Sequence, residues 1–192
     1  LIKEARRRIE ALEKEGYTVE LHCVGRKGAG FFKYLGRPLA SERQDVGENP
    51  KPEQADDIAA GLITEYEAGR LASVDVIHAR FNSAISTPPT TTRVLPVDPP
   101  ESLTVRPDYI LKPGPDEILA QLLPQYVRNT IFRARVETAA GFYGAQRTAM
   151  KSATDNAAEI LQNLTRTYNR NRQAQITQEI AEIVGGAAAL QG

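Results

Sequence analysis

A few stretches of the chain hold residue types that could do chemistry. VGRKGAGFF, residues 24–32, has the glycines and lysine of a phosphate-binding loop. A Walker loop needs a glycine, four further residues and then Gly-Lys-Ser/Thr, so that backbone N–H groups and the lysine surround the phosphates. Here Lys27 precedes Gly28, and Lys33 stands where a dinucleotide fingerprint would place its third glycine. The stretch reads instead as a basic turn after a strand. His22 and Cys23 are neighbours on a predicted strand, so they face opposite sides. Only His78 could join them and there is a single cysteine, so zinc binding is not expected. No serine sits in a nucleophile-elbow context. Asp56 and Asp57 lie near a predicted helix start, where acids complement the dipole. Arg172 and Gln173 interrupt an apolar helical stripe. Either they fix the register of a coiled coil at a cost in stability, or the helix leaves its partner there and offers an arginine fork to a carboxylate on another protein. Spacing alone leaves both readings open.

The elements that must position these residues follow from punctuation and period. All 12 prolines lie at or before Pro124. Proline inside a helix removes a backbone bond and clashes with the previous turn. Its absence from 125 to 190 therefore permits one helix of about 100 Å. Before it, LIKEARRRIEALEK (1–14) aligns Leu1, Ala5, Ile9 and Leu12 on a helix face that Gly16 ends. YTVELHCVG (17–25) alternates Val19, Leu21 and Cys23 inward as a strand. SERQDVGENPKP (41–52) is a loop by composition, and 53–70 is a helix with Ile58, Leu62 and Tyr66 in line. Residues 73–83 form a strand with Val74, Val76 and His78 on one side. TTTRVLPV (90–97) is a shorter edge strand.

These elements predict an open, Rossmann-like α/β head at 1–114, followed by one very long C-terminal helix at 115–192 that forms half of an antiparallel coiled coil. Ala157, Leu161, Leu164, Tyr168, Ile176, Ile180, Ile183 and Ala187 step mostly by three and four, the seam of such a coil. A lone helix cannot bury that stripe, so a partner helix is expected from outside this chain. The start at Leu1 in a helical pattern suggests a longer protein whose preceding strand is missing. The 24 basic and 24 acidic side chains give no net charge, against bulk nucleic-acid binding. No apolar run approaches the roughly 18 residues of a membrane span, and no signal peptide is visible. One cysteine excludes an intrachain disulfide and fits a reducing compartment.

ATDNAAEILQNLTRTYNRNRQAQITQEIAEIVGGAAAL (153–190), with its RQAxITxExxEIVxGA pattern, closely resembles the C-terminal helix of the gamma subunit of F-type ATP synthases. GRKG (25–28), RFNSAIS (80–86) and YVRNTIFRARVETAA (126–140) are similar to that family in the same order, so the resemblance covers the whole chain. It implies a central rotor shaft without a catalytic site of its own and without a cofactor. The shaft would pair with its own missing N-terminal helix. It would turn inside a hexamer of alpha and beta subunits, coupling ion-driven rotation to conformational change at the beta catalytic sites. Arg172 and Gln173 match residues that hydrogen-bond an acidic catch loop on beta, and Thr177 and Glu179 match positions that influence coupling. Ile183, Val184, Gly186, Ala187, Ala188 and Leu190 match the tip that turns in an apolar sleeve. Tyr109, Ile110, Leu111 and Lys112 match the foot loop near the ring of c subunits, beside the epsilon subunit.

The family often has Glu where Lys112 stands and Arg where Gln146 stands, with Arg147 one position further on. The cysteine-bearing insert of chloroplast relatives is absent, so the resemblance implies a bacterial protein at the cytoplasmic face of the inner membrane. A non-catalytic coiled-coil scaffold with an α/β head is the alternative reading. A small α/β enzyme would need a nucleotide or acid–base site that the motifs do not supply.

Overall fold

The computed structural model describes residues 1–44, 49–98, 112 and 114–190, the side chains of 188–190 excepted. In chain order the elements are α1 (Ile2–Lys14), β1 (His22–Val24), α2 (Arg26–Tyr34), β2 (Ser41–Arg43), α3 (Pro52–Glu67), β3 (Val74–Ala79), β4 (Pro89–Leu95) and α4 (Pro115–Leu190). Two of these differ from the sequence expectation. GRKGAGFFKY is not a turn: a helix starts directly after Gly25, because Ala29 and Phe32, three apart, both reach the core. Ser41–Arg43 is not loop but a strand, paired parallel to β1 with His22 opposite Ser41. The remaining elements overlap their expected ranges: β1 and β3 are trimmed at both ends, β4 starts one residue early at Pro89 and stops at Leu95, and α3 runs Pro52–Glu67 rather than 53–70.

The three helices before α4 stop by one device. The residue after each C-cap is a glycine at positive φ: Gly16 at 90°, Gly36 at 69° and Gly69 at 70°. At each end the glycine N–H and the next residue's N–H turn back to carbonyls of the last turn, as in Gly36 to Lys33 at 2.9 Å and Arg37 to Phe32 at 3.0 Å. A side chain at such a φ would crowd the following carbonyl, so glycine is the residue that ends these helices cleanly.

Within residues 1–145, which form one compact unit, the described strands make two ladders, β1–β2 parallel and β3–β4 antiparallel. β3 sends alternate side chains to two cores, as a strand must. Val74 and Val76 pack against Ala55 and Ala59 of α3, Val94 and Leu95 of β4, and Val127 and Ile131 of α4. Ile77 packs on the other side, against Ala5 and Ile9 of α1, Cys23, Ala29 and Phe32. Val94 and Val127 are fully buried, and each such side chain contributes on the order of 2 kcal/mol through water exclusion.

A buried carboxylate ties three elements together. Asp75, on β3, accepts from Arg8 Nε of α1 at 2.8 Å and from Arg93 Nε of β4 at 3.1 Å. Its side chain is only 9% exposed, so it depends on both guanidiniums for solvation. Hydrogen bonds to charged groups contribute about 1.5–3 kcal/mol. Asp75→Ala is therefore expected to lower the stability of the folded chain by about 2–3 kcal/mol, read as a lower midpoint in urea unfolding followed by circular dichroism. An unchanged midpoint would show that the bridge carries no net stability.

Candidate partner-binding surface of the long helix

α4 begins with Pro115, at a position where its missing N–H costs nothing. It continues through Pro124, whose ring removes one intrahelical bond. Its early turns are built into the first unit through Val127, Ile131 and Ala134, all buried. The second unit, Gln146–Gly192, is helical throughout its described part. Every described side chain from Ala145 to Ala187 is exposed, the apolar ones included. Leu161 is 66% exposed, Tyr168 67% and Ile183 72%. A water-facing stripe of that size on a regular helix marks an interaction surface rather than a solvated face.

The residues singled out from the sequence lie on this helix as follows. At 3.6 residues per turn, Arg172, Ile176, Glu179 and Ile183 fall within about 60° of one another. Gln173 and Thr177 lie beside that line, roughly 100° and 140° round from Arg172. Thr177 Oγ1 donates to the Gln173 carbonyl at 2.8 Å, which turns its hydroxyl back onto the helix. Among the described residues Arg172 makes no ion pair, so its donors are free for a carboxylate from elsewhere. Gly186 and Ala187 are exposed beside Ile183 and Val184. The side chains of Ala188 and Leu190 lie outside the described residues. So do Tyr109, Ile110 and Leu111; Lys112 is exposed.

The candidate sites that the sequence set aside stay apart. Cys23 is buried and His22 faces out, its Nδ1 2.7 Å from Ser41 Oγ. No group of three metal-ligating side chains occurs among the described residues. A shallow cleft lined by Glu4, Arg7, Arg8, Asp75 and Arg93 is internally paired, Arg7 to Glu4 at 2.8 Å and both other arginines to Asp75. No helix among the described residues is long and apolar enough to cross a membrane.

Sequence reasoning gave no role to Glu137 or Thr138, which join α4 to the end of β3. Glu137 accepts from Arg133 Nε at 2.7 Å and from the Phe81 N–H at 3.4 Å. It faces the buried His78 Nδ1 at 3.6 Å. Thr138 Oγ1 accepts from the Ala79 N–H at 3.2 Å. The signal that could have found them is a pair of glycines, 141 and 144, inside a helix. Each is unfavourable by about 1 kcal/mol relative to alanine and so asks for a packing reason.

The comparisons with known proteins agree over most or all of the chain. A family model described as ATP synthase matches residues 1–190. The ATP synthase gamma chain of Gemmatimonas aurantiaca is 58% identical over 195 residues, spanning 100% of this chain and 67% of that one. The gamma chain of Moorella thermoacetica is 43% identical over 181 residues, 94% of this chain and 64% of that one. The chain thus spans about two thirds of the length of these curated relatives. Among solved structures, a cryo-EM central stalk and c-ring of Tetrahymena thermophila mitochondrial ATP synthase shares the fold at a TM-score of 0.58 and 20% identity, over 80% of this chain and 69% of that one. A chain of the Euglena gracilis mitochondrial enzyme does so at 0.54 and 15%, over 97% and 67%.

Arg133 first, and then the Phe81 N–H, hold the Glu137 carboxyl below its ordinary value of 4.5, against an opposing push from burial. A carboxyl whose pKa is depressed by folding contributes stability that is present above the unfolded value and lost as pH falls through the folded one. Glu137→Gln is therefore expected to be less stable than the parent at neutral pH and to lose less stability on acidification from about pH 5 to about pH 3. Urea midpoints measured across that range check it; parallel curves for the two proteins would remove Glu137 from the acid response.

Proposed function

The chain belongs to the gamma-chain family of ATP synthase, and from that premise we propose that it is the greater part of the central rotor shaft of a proton-translocating F-type enzyme. The observation that carries this reading is α4: an unbroken helix, Pro115–Leu190, whose apolar residues from Ala145 to Ala187 are all exposed. Such a helix needs partners along its exposed part, and a shaft inside a ring of subunits has them. The subunit carries no catalytic site and works by differential affinity. Its faces are unequal, so each orientation stabilises a different conformation of the surrounding beta subunits, and rotation moves that preference around the ring.

In this reading Arg172 and Gln173 meet an acidic loop of one beta subunit. The exposed guanidinium forms charge-assisted hydrogen bonds to its carboxylates. Thr177 and Glu179 tune the coupling on the next turns. Ile183, Val184, Gly186, Ala187, Ala188 and Leu190 form the tip, whose uncharged residues can slide past an apolar sleeve without breaking ion pairs. The foot, Tyr109, Ile110, Leu111 and Lys112, sits near the ring of c subunits beside epsilon. The missing N-terminal helix that the family resemblance implies, and not α1, pairs with the stripe through Leu161, Leu164 and Tyr168. The subunit is peripheral, held at the cytoplasmic face of a bacterial inner membrane by its partners.

The test uses the full-length chain assembled with its alpha and beta subunits. Arg172→Ala is expected to lower coupled ATPase turnover by roughly tenfold, corresponding to about 1.4 kcal/mol, with circular dichroism and assembly unchanged. Unaltered turnover and proton pumping in that variant would remove the catch role from Arg172. Failure of the unmodified chain to join a hexamer would remove the shaft reading itself.

A further inference from the structure

The head grips α4 on two adjacent faces. One is apolar and carries Val127, Ile131 and Ala134. The other carries Glu137, Gly141 and Gly144, within about 60° of one another, while Thr138 continues the line of the first face. Against this second face lies the tip of the β3–β4 hairpin. Beyond the ladder the tip is closed by Arg80 N–H to the Pro88 carbonyl at 2.9 Å, and by Ser83 and Ser86, whose N–H groups each donate to the other's carbonyl. The Ala79 and Phe81 N–H groups both point to α4, to Thr138 Oγ1 and Glu137 Oε2.

The glycines bring the two backbones together. A Cβ at Gly144 would lie 3.1 Å from Ala84 Cα and 3.2 Å from its carbonyl oxygen. A Cβ at Gly141 would lie 3.1 Å from Thr87 Cγ2. Apolar packing is non-directional and tolerates small rolling of a helix about its axis. Hydrogen bonds at fixed angles, and a backbone seated on a side-chain-free notch, do not. Gly144 is also the last position before the run of exposed residues that starts at Ala145.

We propose that the hairpin tip, residues 79–87, is a clasp that fixes the rotational setting of α4 in the head, with Glu137, Thr138, Gly141 and Gly144 as positioning residues for torque transfer. The mechanical role rests on the shaft reading above. The clasp is the last point at which the head holds the helix, so torque about the helix axis passes through it.

The experiment is single-molecule rotation of the full-length chain assembled with its alpha and beta subunits, driven by ATP, with a bead on the head at Lys14→Cys. The readout is the angular spread of the bead during pauses. Gly144→Val, and the milder Thr138→Val that keeps the side-chain shape, are expected to broaden the spread while assembly and bulk ATPase rate stay at the unmodified level. Gly141→Ala is expected to broaden it too. Adding Thr87→Ser, which removes the Cγ2 nearest the new methyl, is expected to narrow it again, a rescue that general destabilisation would not show. Unmodified widths in all three single variants would overturn the clasp while leaving the shaft reading intact. An unmodified chain that assembles but does not rotate would overturn the shaft reading, and the torque role with it.

Discussion

A helix of 76 residues carrying an apolar stripe has to be covered by something, and everything else in this chain is arranged around that requirement. Most helical stability in proteins comes from packing of the apolar face rather than from intrinsic propensity. Here the head supplies that packing only along the early turns, where Val127 and Ile131 enter a core shared with α3 and β4. From Ala145 onward the described side chains face water. One helix therefore lives in two regimes. Its first part is folded by its own chain, and the rest depends on other surfaces to bury Leu161, Leu164, Ile176 and Ile180.

The head is organised to hold its part of the helix firmly. β3 is used on both sides, with Val74 and Val76 toward α3 and α4 and Ile77 toward α1 and α2. Asp75 then locks α1 and β4 onto the same strand from its buried position. The strand that runs between the two cores also leads directly into the hairpin tip that meets α4. Charge pairing, apolar packing and the close backbone contact at the glycines thus converge on one short segment of chain.

Much of this was legible before the structure. The four-residue spacing of Ala5 and Ile9, and of Ile58, Leu62 and Tyr66, names helix faces that do pack inward, although Leu1, expected on the same face of α1, is exposed. The alternation of Val19, Leu21 and Cys23 names the buried side of the first strand region. The proline-free run after Pro124 permits the long helix, although α4 already begins at Pro115 and passes through Pro124. What escaped is non-local. α2 holds Gly28 and Gly30, poor helix formers, and exists because Ala29 and Phe32 find a core built by α1 and β1. β2 is three polar residues, Ser-Glu-Arg, with no pattern of its own, and only pairing with β1 makes it a strand. Arg172 and Gln173 could be seen as anomalies in a stripe, yet their proposed role came from resemblance, because the partner that would explain them is another chain.

Cys23 has a consequence of a different kind. Its thiol is buried, and burial first, then the nearby Glu42 carboxylate, push its pKa above the usual thiol value of 9.0. Alkylating and disulfide-exchange reagents attack the thiolate, so a thiol both shielded and held protonated reacts slowly. The one cysteine nature placed in this chain is close to chemically silent. A cysteine introduced anywhere along the exposed helix would then be the site that maleimides, spin labels and cross-linkers find first, with the native residue left in place.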